Sequence, residues 1–268
     1  MHYFTKTALL IVQNVYFRIM KITHFKNIDS TNSYLQNLLD KGEDVADNVV
    51  VTDFQTSGKG QGKNVWQSED GKNLLFSIAL DMSFLKAENQ FFLTQMISVA
   101  MINVLRNFLP EDSLFIKWPN DIYFNDRKIA GMLIKNEIKG MMLGTSIVGI
   151  GLNVNQISFD DNIPNPISMK MITGKDYDLD ELLSAIVCQL SDYSRLCVNS
   201  NDTFSTLIIK TYTSRLYRYH QWALFEHEGS IKEMMIVGFD KYGRLILKEQ
   251  NDHEVVCDLK EIIFKNEF

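Results

Sequence analysis

The chain has 268 residues, 46% of them apolar and 22% charged, the balance of an ordinary globular protein and not of a disordered or fibrous one. Its length accommodates one substantial core and a small second domain. The 27 Lys and Arg stand against 33 Asp and Glu, a net charge of -6, so no chain-wide basic field exists to hold a nucleic-acid backbone and no DNA partner is expected.

Ala8 to Phe17 is apolar but is interrupted by Gln13 and Asn14, lacks a small-residue cleavage site after it, and is too short to span a bilayer. Residues 1–19 are read as an N-terminal extension, with no membrane association, and the first strand is expected from Lys21 to Phe25. Asp29-Ser30-Thr31-Asn32 then precedes Tyr34, Leu35, Leu38 and Leu39 at helical spacing, with Gly42 as a stop signal, which predicts a short capped helix. The β-branched Val49-Val50-Val51 leads through Gln55 into a glycine- and lysine-bearing loop ending near Trp66, and Asn73 to Leu80 reads as another strand.

Glu88 to Leu109 predicts a long, largely buried helix closed by Pro110. Strand-like runs follow at 114–118, 122–124, 129–138 and 141–154, with turns at Asn125-Asp126 and Lys139-Gly140 that imply antiparallel pairing. Two helices are expected over 180–196 and 202–216. Beyond about Tyr219 short strands at 231–239, 244–249 and 254–259 fit a small β-barrel. The three cysteines, Cys188, Cys197 and Cys257, have neither a disulfide framework nor zinc spacing, so a reducing cytoplasm fits and the thiols read as core filler.

Four stretches can carry chemistry. In Gly58-Lys59-Gly60-Gln61-Gly62-Lys63-Asn64-Val65-Trp66, alternating glycines expose backbone N–H groups and the lysines supply charge for a phosphate, although a flexible hairpin with solvated lysines has the same composition. It is no Walker loop, because Gly-Lys-Ser/Thr is missing. Lys117-Trp118-Pro119-Asn120-Asp121 with Arg127-Lys128-Ile129-Ala130-Gly131 puts cation, carboxylate and amide on one hairpin, where a plain charged turn is the alternative. In Gly149-Ile150-Gly151-Leu152-Asn153 the glycines clear one face of a strand for a ligand or for a closely packed backbone. Ser30-Thr31-Asn32 by itself does no more than cap a helix.

Taken in order, Asp-Ser-Thr-Asn, Gln-x-x-Gly-Lys-Gly-x-Gly-x-x-x-Trp, Lys-Trp-Pro-Asn-Asp, Arg-Lys-x-Ala-Gly and Gly-x-Gly-x-Asn resemble the biotin–protein ligase family from about Lys21 to Val154. The resemblance implies an α+β fold: a mixed, mainly antiparallel sheet with flanking helices, class II synthetase-like, over 20–217, and an SH3-like β-barrel over 218–268. It implies an enzyme that activates biotin with MgATP to biotinyl-5'-adenylate and passes biotin to a lysine of a biotin carboxyl carrier protein.

On that resemblance Ser30, Thr31, Asn32, Gln55, Lys59, Gly60, Gln61, Lys128, Gly149 and Gly151 would bind biotin. Gln61, Trp66, Asn120, Asp121, Lys128 and Asn153 would serve the nucleotide, Asp121 would hold Mg²⁺, and Lys128, Asp121 and Lys59 would act in the chemistry. Arginines frequent in the family's glycine loop are represented here by Lys59 and Gln61, which reduces bidentate phosphate grip. The helix-turn-helix of repressor members is not seen in the sequence, so an enzyme and not a repressor is expected, and pairing of two copies through the sheet is compatible with it. The readings weighed against this are a lipoate–protein ligase and a non-catalytic biotin-binding protein.

Overall fold

The computed structural model describes residues 6–11, 19–62, 64–199 and 202–265. The chain runs through β1 (Lys6–Ile11), β2 (Ile19–Ile28), α1 (Thr31–Asp40), β3 (Asn48–Gln55), β4 (Leu74–Asp81), α2 (Phe91–Leu105), β5 (Leu114–Lys117) and β6 (Asp121–Phe124). It continues with β7 (Arg127–Lys139), β8 (Met142–Leu152), α3 (Met169–Thr173), α4 (Leu179–Asn199) and α5 (Asp202–Ser214). The last strands are β9 (Trp222–His227), β10 (Ser230–Phe239), β11 (Leu245–Glu249), β12 (Glu254–Cys257) and β13 (Ile262–Phe264).

Strands β1 to β8 form one sheet in the order β1-β2-β3-β4-β8-β7-β6-β5. Among these strand pairs β2–β3 alone is parallel, because α1 connects these strands as a crossover, whereas short turns make β5–β6, β6–β7 and β7–β8 antiparallel. Gly140 makes the β7–β8 turn at φ +65° and Asn125 the β6–β7 turn at φ +50°. Strand β1, within the segment expected as an extension, lies at the sheet edge with Leu10 opposite Met20.

Strand β4 is buried at every position but its last, as a strand covered on both faces must be. Phe76, Ile78 and Leu80 join the large core with Met96, Ile97 and Leu105 of α2 and Ile186, Val187 and Leu190 of α4. On the other face Ala79 and Ile147 meet Phe25, Val50 and Leu35 of α1. The expected helix to Leu109 stops at Leu105; Phe108 and Leu109 both donate backward to the Leu105 carbonyl, so the chain leaves the helix in turns before Pro110 is reached.

The C-terminal strands form a second antiparallel sheet in the order β12-β11-β10-β9-β13. Its Phe225, Met234, Ile236 and Leu247 belong to the same apolar cluster as the first sheet. The Trp118 indole donates to the Gly243 carbonyl at 2.8 Å, and Phe239 meets the rings of Phe91 and Tyr212 edge-on. The second sheet is therefore packed directly beside the Lys117–Asp121 stretch.

Candidate active site

Opposed residues of an antiparallel pair share a face, and three central strands use this to build a floor. Ser77 lies opposite Gly149, which lies opposite Leu133; Leu75 lies opposite Gly151, which lies opposite Gly131. Glycine at three of these positions strips the floor of side chains. A Cβ on Gly149 would lie 3.1 Å from Asn32 Nδ2 and 3.3 Å from Ser77 Oγ, so the cleared space is already bounded by polar groups.

The first turn of α1 closes one end. Ser30 is the N-cap and its hydroxyl accepts from the Ser33 amide, so the capping expectation holds and the next two side chains are left to face the floor. The Thr31 amide donates to Gln55 Oε1 at 2.9 Å, and the Thr31 and Ser77 hydroxyls are 2.8 Å apart. Asn32 donates to the Leu133 carbonyl at 3.3 Å. Its Oδ1 is buried with no hydrogen-bond partner, an arrangement that costs about 1–3 kcal/mol unless a ligand donates to it.

The other end is charged. Lys128 Nζ sits 2.7 Å from Asp121 Oδ2, with the two side chains 30% and 25% exposed, and 5.6 Å from the centre of the Trp66 ring. Asn120, beside Asp121, donates to the Met132 carbonyl. Lys117, opposite Asp121 in the β5–β6 register, donates to the Tyr123 hydroxyl at 3.0 Å and lies 5.0 Å from the Tyr123 and Phe264 ring centres. Burial holds its pKa below the ordinary lysine value, against the opposing charge of Asp121.

The glycine loop is a hairpin folded over the floor. Gly60 donates to the Asn64 carbonyl at 2.8 Å and Trp66 to the Gly58 carbonyl at 3.1 Å. A side chain on Gly58 is excluded, since its Cβ would fall 2.3 Å from the Trp66 carbonyl oxygen. The Trp66 indole lies flat on the glycine floor, 2.4 Å from where a Cβ of Gly151 would stand and 2.9 Å from that of Gly131. Its Nε1 is buried without an acceptor. Lys63 falls outside the described residues.

Ser30, Thr31, Asn32, Gln55, Lys59, Gly60, Gln61, Trp66, Asn120, Asp121, Lys128, Gly149 and Gly151 all line this one cavity. Asn153 does not. Its amide donates to the carbonyls of Ile167 at 3.1 Å and Lys128 at 3.4 Å, and it borders a second cavity on the far side of Trp66 and Lys128, with Phe159, Asn162 and Ile163. Sequence reasoning missed that second wall, and it also missed Ser77, although a single serine in the otherwise apolar run Leu74 to Leu80 was a usable signal. Among the described residues no three or more His, Cys, Asp or Glu side chains cluster as a metal site.

A family model described as the biotin/lipoate A/B protein ligase family matches residues 24–153, the span that contains every residue lining the first cavity. Residues 24–153 belong to this family. The bifunctional ligase/repressor BirA of Escherichia coli is 32% identical over 140 residues, covering 52% of this chain and 42% of that protein. The human biotin–protein ligase is 30% identical over 223 residues, 77% of this chain and 29% of that protein. The chain thus spans less than half the length of these curated relatives. Among solved structures, the biotin protein ligase from Aquifex aeolicus in complex with biotin and ATP superposes with a TM-score of 0.73 at 23% identity, over 92% of this chain and 99% of that one. That likeness is one of fold.

Proposed function

We propose that this chain is a biotin–protein ligase: it activates biotin with ATP to biotinyl-5'-adenylate and transfers biotin to a lysine of a biotin carboxyl carrier protein. The observation that carries the reading is one cavity joining a polar pocket of hydroxyl and amide groups to a lysine–carboxylate pair. Biotin's ureido ring offers two N–H donors and one carbonyl acceptor. The unpartnered Asn32 Oδ1 suits a ring N–H, while the hydroxyls of Ser30, Thr31 and Ser77 can turn to donate or accept. Lipoate has no such N–H, so the same atom favours biotin over the lipoate branch.

The valeryl chain would run from Gly149 towards Lys128, with the Trp66 indole lifting from Gly131 and Gly151 to admit it. A carboxylate oxygen attacks the α-phosphorus, the bond to the bridging oxygen breaks, and pyrophosphate leaves with the electron pair. Lys128 neutralises the charge gathering between carboxylate and phosphate, and Lys59 adds to it from the hairpin. For this Lys128 has to give up its contact with Asp121, which turns to the nucleotide side. The second cavity, between Phe159, Ile163 and Asn153, takes the base and ribose. The carrier lysine then attacks the mixed anhydride and AMP leaves. The hairpin excludes water, which the anhydride would not survive.

Asp121 would hold Mg²⁺ together with the ATP phosphates, a set that fits because Mg²⁺ keeps several waters and takes one or two carboxylates beside substrate phosphates. When bound, it neutralises the polyphosphate. We further read residues 20–217 as the class II synthetase-like catalytic unit and the β9–β13 sheet as the family's SH3-like barrel, in a cytoplasmic protein that does not bind DNA and whose copies can pair through the sheet. Incubation with biotin, MgATP and a competent carrier domain tests the core of the reading. The carrier mass rises by one biotin, and an unchanged mass refutes it.

A further inference from the structure

The glycine hairpin touches more than the catalytic sheet. Gly62, at its apex, has φ +65°, and a Cβ there would stand 2.9 Å from Nζ and 3.2 Å from Cε of Lys260. Lys260 belongs to the turn between β12 and β13 of the C-terminal sheet. It is exposed, and among the described residues its ammonium forms no ion pair, although the same sheet pairs Lys232, Arg244, Lys248 and Lys265 with carboxylates. Unpaired and exposed, that ammonium is available to an anion brought to the glycine apex. Gln61, next to Gly62, lines the candidate cavity and also the groove between the two sheets, so the apex stands where polyphosphate on the floor would come within electrostatic reach of Lys260. A lysine side chain reaches across such a gap without the fixed geometry that a guanidinium fork demands.

We propose that Lys260 is a positioning residue of the active site, a cation that the C-terminal sheet places at Gly62 to hold the glycine hairpin over bound polyphosphate. It stands in for positive charge that the hairpin itself lacks at Gln61. Gly62 is then required twice, for its left-handed backbone and because any side chain would push the ammonium away. Lys260 touches no reacting atom. It acts by keeping Lys59 and the hairpin amides over the phosphates, and so lengthens the life of the adenylate before the carrier arrives. The proposal rests on the ligase reading above.

The test compares the full chain with Lys260→Ala, Lys260→Glu and Lys260→Arg. Biotin-dependent pyrophosphate exchange gives KM for ATP and kcat, gel-filtered enzyme gives the half-life of retained adenylate, and trypsin cleavage after Lys59 with biotin and MgATP present gives hairpin protection. Lys260→Ala is expected to raise KM for ATP about 2- to 5-fold at low salt with kcat nearly unchanged, the scale of a single exposed charge. Lys260→Glu goes further and Lys260→Arg restores most of the effect. The gap between parent and Lys260→Ala closes at high ionic strength, as screening requires, and ligand protection of Lys59 weakens in step. A purely structural role would lower the melting temperature instead and leave the salt dependence alone. Should the parent exchange pyrophosphate while Lys260→Ala and Lys260→Glu match it in KM, adenylate half-life and protection, this proposal is overturned and the ligase reading stands. A parent without exchange overturns the ligase reading itself.

Discussion

Replacing Lys128 by alanine separates chemistry from folding. In the folded protein Lys128 makes one ion pair, 2.7 Å to Asp121, between side chains 30% and 25% exposed. Pairs this open to water contribute about 0.5–1 kcal/mol, and the ring contact with Trp66 adds about 0.5 kcal/mol more. The backbone of residue 128 keeps its bonds to Asn165 and Ile167 whatever the side chain, so the melt should fall only about 2–5 °C for a chain of this size. The reaction loses far more. A positioned cation at a developing negative charge is worth about 3–4 kcal/mol, or roughly 10²–10³ in rate. Asp121→Ala should fail too, through lost nucleotide and metal positioning, and extra Mg²⁺ partly restores it, whereas Lys128→Ala is not restored. Biotin-dependent pyrophosphate exchange and a thermal melt are measured for each. If Lys128→Ala melts normally and exchanges within threefold of the parent, the lysine does not serve the carboxylate–phosphate contact and the reasoning fails.

Gly149→Ala places a methyl 3.1 Å from Asn32 Nδ2 and 3.3 Å from Ser77 Oγ, so KM for biotin should rise about tenfold, the effect of about 1–3 kcal/mol of overpacking, while KM for ATP stays put; equal biotin titrations in both proteins would remove the pocket from this floor. Burial pushes the Cys197 thiol up to about 12 from a usual 9.0. A raised folded pKa contributes stability that is present below pH 9 and is lost as pH climbs towards 12, so the alkaline decline of the melting temperature should be shallower in Cys197→Ala, and parallel curves would contradict the burial of this thiol. Deleting residues 1–19 should leave exchange activity and solubility nearly intact, because among the described residues it removes the edge strand β1 and the first residue of β2; aggregation or loss of carrier labelling would show that β2 needs its cover. No salt-sensitive, sequence-selective gel shift with DNA is expected of a chain with net charge -6, and finding one would refute that expectation.

The parts legible in the sequence were those where one local pattern has one structural outcome. The helix starting after Ser30, the β5 to β8 meander and the helices α4 and α5 all formed within a few residues of their expected bounds, because capping, turn residues and periodicity act over a handful of positions. What stayed hidden depends on distant pairing. Strands β9 and β13 were not foreseen, since a three-residue strand such as Ile262–Phe264 exists only because β9 offers it an edge. Strand β4 was read as a strand, yet nothing local told that Ser77 would meet Thr31 and Gly149, which takes the β4–β8 register to decide.

The residues around the second cavity illustrate the same limit most sharply. Phe159 to Pro166 carries no periodicity and reads as a loop, but Lys128 donates from its amide to the Asn165 carbonyl at 2.7 Å and accepts from the Ile167 amide at 3.0 Å. These two bonds fasten the loop to the strand that bears Lys128, and Asn153 adds its own bond to the Ile167 carbonyl. The family resemblance places Asn153 on the nucleotide side. Its side chain satisfies the Ile167 carbonyl and it also borders the second cavity, so in the proposed reading it acts on the nucleotide through the loop it holds. Asn153→Ala should accordingly raise KM for ATP and lower the melting temperature together, since the buried Ile167 carbonyl loses its donor at about 1–3 kcal/mol, while the Lys128 carbonyl keeps the Ile167 amide. A direct nucleotide contact predicts a higher KM with an unchanged melt, and that result would give Asn153 the role the family resemblance implies.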